Sequence, residues 1–169
     1  MSTPIDRVRI FSHITRTRFF HIEDSLERRK LRFFVGSFER GHGANNTAYA
    51  FLDVDDARVV MNDLAWGKQV DFVDHKGGMD ANQLAVARVL KIKTKEERVW
   101  VEVHNGPGEE MFEGAIKPVG KPYAEISVPL TIFEARKMGF ACLAYLQAWD
   151  FSAFSGQLSA VSKMTITKR

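Results

Sequence analysis

The sequence predicts an α+β protein: two tandem β-β-β-β-α repeats, forming curved antiparallel sheets packed with two helices. Three observations carry this reading. Short segments with apolar side chains at every second position dominate the chain. Each of two groups of such segments ends in one stretch with helical spacing. The two helical stretches share local sequence in the same order. The expected organisation is a single domain over residues 1–149, with repeats at 1–67 and 84–149, a connector at 68–83, and a C-terminal arm or tail at 150–169.

In the first half the alternation predicts strands at Arg7–His13, Thr15–Glu23, Lys30–Glu39 and Thr47–Leu52. The run Gly41-His42-Gly43-Ala44-Asn45-Asn46 supplies the turn between the last two, because Gly and Asn tolerate positive φ. A helix is predicted from about Val54 to Trp66. Asp53 stands at its N-cap, Asp55 and Asp56 suit the positive end of its dipole, and Ala57, Val60, Met61 and Leu64 share one face. Gly67 ends it. Residues Lys68–Gln83, with Asp74-His75-Lys76-Gly77-Gly78-Met79-Asp80 at their centre, have turn chemistry and read as a connector with little to pack.

The second half predicts strands at Leu84–Lys93, Glu97–Val103, Met111–Lys117 and Tyr123–Val128, with turns at Asn105-Gly106-Pro107-Gly108 and through Gly120 and Pro122. Thr131 followed by Glu134 is a capping box that opens a helix reaching about Trp149. Ala135, Met138, Cys142, Tyr145 and Trp149 form its stripe, but Phe140, Leu143 and Leu146 lie elsewhere on the helix. Such a helix needs cover on more than one side, which implies a homo-oligomer, most simply a dimer. The repeat is visible locally. Asp56-Ala57-Arg58 matches Glu134-Ala135-Arg136 early in each helix, and Leu64-Ala65-Trp66 matches Gln147-Ala148-Trp149 at each end. Ala50-Phe51-Leu52-Asp53 precedes the first helix as Ser127-Val128-Pro129-Leu130 precedes the second. The stretch Asp150–Arg169, in which Leu158, Val161, Met164 and Ile166 alternate with Ser/Thr-rich residues, suits an extra strand, a swapped arm or a tail.

At 169 residues, 45% hydrophobic and 27% charged, the chain is long and apolar enough to bury a core without disulfides or metal. Cys142 is the only cysteine, which excludes an internal disulfide and a cysteine-based zinc site; its apolar surroundings predict burial. No apolar leader segment and no run near the ~18 residues of a membrane span is present, so the expectation is a cytoplasmic protein with no membrane partner. The net charge of +3 is unevenly spread: residues 1–50 carry nine Lys/Arg against five Asp/Glu, whereas residues 51–90 carry four against seven. Positive charge is concentrated in the first strands, as a phosphate-facing surface requires.

The alternation also sorts side chains by face. Arg7, Arg9 and Phe11 oppose Val8, Ile10 and Ile14; Arg16, Arg18 and Phe20 share a face; Arg32, Phe34, Phe38 and Arg40 oppose Leu31, Phe33 and Val35. In the second half Arg98 and Trp100 oppose Val99, Val101 and Val103, and the neighbouring strand adds Lys91 and Lys93. Cationic groups neutralise phosphates and release counterions, while rings stack unpaired bases at roughly 1–3 kcal/mol each regardless of base identity. The expected partner is therefore single-stranded nucleic acid, bound with little sequence preference, DNA ahead of RNA. An assembly protein, whose Phe-rich faces and apolar helix meet other proteins, is the competing class.

Nothing in the sequence points to an enzyme or a cofactor. The histidines at 13, 21, 42, 75 and 104 show neither HxxxH spacing nor cysteine partners, so no metal site is expected. Gly41-His42-Gly43 lacks both the Lys-Ser/Thr of a P-loop and a following helix. Asp53, Asp55 and Asp56 are accounted for by helix capping, and Glu109-Glu110 lie in a Gly/Pro turn. No nucleophile elbow is present.

Two tandem β4α units with basic and aromatic sheets resemble, in layout, the PUR and Whirly group of single-strand-binding proteins. The resemblance covers about residues 7–149. It implies curved antiparallel sheets, sequence-tolerant binding of single strands, and dimers or larger rings assembled through the helices. No stretch matches a member residue by residue, so the resemblance assigns no site residue. The chain ends Lys168-Arg169, without the acidic tip of bacterial OB-type single-strand-binding proteins.

Overall fold

Residues 7–166 are described by a computed structural model. The first sheet is built from β1 (Arg9–Ile14), β2 (Arg18–Ser25), β3 (Lys30–Glu39) and β4 (Gly43–Asp53), in that spatial order. α1 (Val54–Ala65) follows it. The second sheet contains β5 (Asp71–Met79), β6 (Ala85–Lys95), β7 (Arg98–Glu110) and the short β8 (Ile116–Pro118), while β9 (Ala124–Thr131) pairs with β7. α2 (Ile132–Ile166) closes the described chain. Every pairing is antiparallel, so the protein is α+β with two antiparallel sheets and two helices. Among the described residues no helix is long and apolar enough to cross a membrane.

The period of two decides which residues the sheets bury. Leu31, Phe33 and Val35 of β3 face Ile22 and Phe20 of β2 and Ala48, Ala50 and Leu52 of β4, all at most 2% exposed. Leu90, Ile92, Val101, Val103 and Val128 do the same in the second sheet, and both inner faces meet one core shared with the helices. α1 contributes Ala57, Met61 and Leu64; α2 contributes Ala135, Met138, Leu146 and Cys142, whose thiol burial pushes up to about 12. The capping box forms as the sequence predicts. The Thr131 amide donates to Glu134 Oε2 (3.0 Å), and the Glu134 amide donates to Thr131 Oγ1 (3.2 Å).

The helices pack on each other at Gly139. A Cβ there would lie 2.5 Å from the Met61 carbonyl oxygen and 2.7 Å from the Ala65 amide nitrogen, so only glycine allows the backbones this close. Arg136 Nε donates to the Ala65 carbonyl at the end of α1 (3.2 Å), and Arg58 on α1 holds Asp150 on α2 through two contacts of 2.6 and 2.7 Å. Gly139→Ala is expected to destabilise the fold by about 1–3 kcal/mol, since neither backbone can yield without moving a helix. A lower urea midpoint at unchanged m-value is the readout.

Four elements differ from the sequence expectation. The connector at 68–83 contains a full strand, β5, paired along its whole length with β6. Its alternation is hidden because Asp74 and Lys76 occupy inward positions; they are half-buried and paired with each other at 2.8 Å. The second half therefore starts at Asp71, not Leu84. The run Asn105-Gly106-Pro107-Gly108 is no turn but lies inside β7. The strand expected at Met111–Lys117 is replaced by a 3-10 turn at Phe112–Gly114 and the short β8. Asp150, expected to open an arm or tail, instead continues α2, which runs 35 residues to Ile166; residues 167–169 fall outside the described part.

Candidate nucleic-acid interface

The face of the first sheet that turns away from the core is set by strand register. Glu23 pairs with Arg32, His21 with Phe34, Phe34 with Tyr49, and Arg32 with Phe51. Phe19 lies across Gly36, where a Cβ would sit 2.2 Å from its ring. From there the rings run on: Phe19 stacks on His21 at 5.0 Å, tilts against Phe34 at 5.3 Å and stacks on Phe38 at 6.5 Å between centroids. The Arg32 guanidinium continues the series, 4.4 Å from the Phe34 ring and 4.8 Å from Tyr49, while its Nη1 donates to Glu23 Oε2 at 2.6 Å. Burial, then the neighbouring Arg9 charge, keeps the His21 imidazole below its ordinary pKa.

One end of the second sheet extends past the core and faces this surface. Between them lies a cleft of about 530 Å³, lined by Arg7, Arg28, Lys30, Arg32, Lys76 and Arg88 together with Tyr49 and Phe51. Arg88 Nη2 donates to the Tyr49 hydroxyl (3.0 Å), and its guanidinium lies 4.7 Å from the Tyr49 ring centroid. Asp53 does not use its side chain to cap α1; it accepts from Lys30 (2.5 Å) and Lys76 (2.8 Å) instead. The carboxylates in contact with the cationic groups of the wall are Glu23, Glu27, Asp53 and Asp74, against six cations, an excess of two positive charges. Asn105, 5% exposed, joins the sheets beneath the cleft. Its Oδ1 accepts the Tyr49 amide (3.0 Å), and its Nδ2 donates to the Tyr49 carbonyl (2.8 Å).

Burial alone would raise Asp53, but the hydrogen bonds from Lys30 and Lys76 outweigh it and hold the carboxyl below its usual range. Glu102 and Glu134 are likewise held low against their burial, by Lys91 and by the Thr131 amide respectively. A carboxylate depressed in the folded state stabilises the fold above its unfolded pKa, about 4, and loses that contribution as pH falls through the folded value. These carboxylates should therefore add a drop in stability below about pH 4 to the gentler decline that the depressed His21 begins below its unfolded value, about 6.5. Asp53→Asn should shallow that acid limb in urea titrations taken at successive pH values.

The residues predicted for the interface do not form one patch. Arg7 and Arg32 line the cleft. Arg9, paired with Glu23, and Phe34 and Phe38 share the outward face of the first sheet. Phe11 and Phe20 turn inward, a correction to the expectation. A bulge between Arg9 and Phe11 reverses the phase of β1, and Phe20 is 0% exposed, stacked on Phe33 at 5.7 Å and edge-on to Phe11 at 6.0 Å. Arg18 shares the Phe20 side of β2, and its guanidinium donates to the Ser127 carbonyl of β9. Arg16 and Arg40 are exposed in the bends at strand ends. Lys91, Lys93, Arg98 and Trp100 occupy the outward face of the second sheet, away from Leu90 and Ile92. Lys91 is paired there with Glu102 (2.9 Å) and Lys93 with Asp71 (3.0 Å).

The sequence reading missed Phe19, Arg28, Lys30, Tyr49, Phe51, Lys76 and Arg88. Tyr49 and Phe51 were within reach, since they alternate against the small buried residues Ala48 and Ala50. Lys76 lay inside the supposed connector. Arg88 shares the inward phase of Leu90 and Ile92, so alternation buries it on paper; it emerges because this end of β6 overhangs the first sheet. On the outward face of the second sheet His104 Nε2 lies 2.6 Å from Glu102 and 3.5 Å from Glu125. Lys91 also holds Glu102 at 2.9 Å, and Glu102, His104 and Glu125 bring one potential ligand atom each within 4.8 Å of one another, a grouping across two strands that spacing along the sequence does not reveal. No protein-family model matches the chain, and no curated protein sequence matches it.

Proposed function

We propose that the chain binds single-stranded DNA in the cleft between the two sheets, with little regard to sequence, and that RNA is the alternative ligand of the same surface. The observation that supports this reading is the cleft itself: six cationic side chains against four carboxylates, flanked by Tyr49 and Phe51 and continued by the Phe34–Phe19–Phe38 row. A flexible strand can follow such a wall, its phosphates meeting guanidinium and ammonium groups while unpaired bases stack on rings; a stiff duplex keeps its bases stacked on one another and offers the rings little. Arg32, Lys76 and Arg88 are already held by Glu23, by Asp53 with Asp74, and by the Tyr49 hydroxyl, so their part of the wall requires little ordering on binding. Fluorescence anisotropy with labelled single- and double-stranded oligonucleotides, repeated over a salt series and with matched RNA, tests it. Single strands should bind more tightly than duplex, with affinity falling steeply as salt rises; affinity indifferent to salt rejects the reading.

The same proposal covers the finer architecture. The two sheet-plus-helix halves are read as tandem copies, because Ala57 and Ala135 each stand fourth in their helix, buried, and each is followed by an arginine that ties the two helices together. The chain is read as a homodimer through α2. Beyond Asp150 the helix exposes Phe151 (76%) and Phe154 (59%), with Phe133 and Phe140 exposed nearer its start. A helical stretch as exposed as residues 151–157 is marginal in water, and a second copy supplies the missing cover. Light scattering should give twice the mass of one chain, and Phe151→Ser with Phe154→Ser should halve it.

A further inference from the structure

The outward face of the second sheet carries a separate recess of about 490 Å³ with Trp100 in its wall. Register places Trp100 between Lys93 on β6 and Pro129 on β9, so the half-buried indole stands among polar neighbours and away from the apolar core. Around it are three lysines, Lys91, Lys93 and Lys95, and three carboxylates, Asp71, Glu96 and Glu102. Lys91 and Glu102 already pair at 2.9 Å, as do Lys93 and Asp71 at 3.0 Å. The recess is therefore charge-balanced, in contrast to the cleft. The two lie on opposite sides of β6: Arg88 points with Leu90 and Ile92, Lys91 and Lys93 the other way.

Charge balance decides what the recess can hold. A phosphate gains nothing from lysines whose charge is already matched, and meets three carboxylates besides. An uncharged ligand with one apolar face and alternating donors and acceptors along its edge fits each part of the lining. The indole offers a face for stacking, ammonium groups donate to ring nitrogens and carbonyls, and carboxylates accept from amino groups and ring N–H. A nucleobase has this chemistry, and the recess falls within the size range of small-molecule sites, about 300–1,000 Å³. We propose that the Trp100 recess binds a nucleobase, taken as a nucleoside-sized ligand, by stacking on the indole and without engaging a phosphate. This site does not depend on the strand-binding reading of the cleft.

The test follows the indole N–H signals of the full chain in proton–nitrogen correlation spectra, with the Trp100 signal assigned by its loss in Trp100→Phe. Adenosine should move that signal and the backbone amides of Lys93, Glu102 and Ser127 saturably at millimolar concentration, and leave Trp66 and Trp149 in place. Ribose 5-phosphate, which lacks the base, should move none of them. Glu102→Gln should weaken adenosine about tenfold, and Arg28→Ala with Arg88→Ala in the cleft should leave the response intact. The proposal is overturned if adenosine leaves the Trp100 signal unmoved, if ribose 5-phosphate moves it equally, or if the amide shifts persist unchanged in Trp100→Phe. Oligonucleotide anisotropy on the same variants reads the cleft separately, so failure of one site is distinguishable from failure of the other.

Discussion

Changing Arg28 and Arg88 together to alanine is expected to weaken single-stranded oligonucleotide binding by roughly 10- to 100-fold at low salt. It should also reduce the slope of log affinity against log salt by about 1.4, the release expected when two phosphate contacts to a single strand are lost. The choice of residues follows from their partners. Arg32 is the more central cation, but Glu23, 8% exposed, depends on it, and removing one member of a buried pair costs about 3–5 kcal/mol of stability. Arg28 is exposed with only a long 3.9 Å contact to Glu27, and the hydrogen bond of Arg88 goes to the Tyr49 hydroxyl, so the double variant should melt like the parent protein. Phe51→Ala provides the complementary result: a loss of about 1–3 kcal/mol in affinity with the salt slope unchanged, because stacking releases no counterions. If the arginine variant binds as the parent does in anisotropy, the cleft is not the interface.

Asn105→Ala is expected to lower stability by about 2–6 kcal/mol, the largest effect of a single polar substitution outside the cleft wall. Asn105 is the only described side chain that bonds both the amide and the carbonyl of Tyr49, on an edge strand whose next neighbour belongs to the other sheet. Truncation leaves both backbone groups buried without partners, at about 1–3 kcal/mol each. The melting temperature should fall by roughly 2–4 °C for each kcal/mol lost. Oligonucleotide affinity at temperatures where the variant is still folded should fall too, because the same bonds hold Tyr49 in the cleft. An unchanged melting temperature would show that water replaces the amide and that the sheets are joined by packing alone.

Much of the fold was legible because its signals are local. Lys30–Glu39 alternates cleanly and is a strand over the whole predicted span. The start of α2 at the Thr131–Glu134 box needs only four consecutive residues, and α1 ends within a residue of the expected place. The hairpin between β6 and β7 was harder, since its two turn residues are Glu96 and Glu97, both at positive φ (50° and 59°), where Asn-Gly would have announced it. β5 was missed for a different reason: its inward positions hold Asp74 and Lys76, which read as solvent-facing until Asp53 is brought beside them.

By itself, then, the chain's periodicity determined which side chains travel together: Arg32 with Phe34, Lys91 with Lys93, Phe33 with Val35. What it could not determine was which side of a strand turns inward, because alternation has a phase but no direction, as at Phe20, and a single bulge reverses the phase itself, as at Phe11. Nor could it say that Arg88 and Lys76 would meet Tyr49 and Asp53, residues tens of positions away. Those neighbours exist only once one sheet overhangs the other, and that overhang is set by the shared core and the bridge at Asn105, which no local pattern encodes.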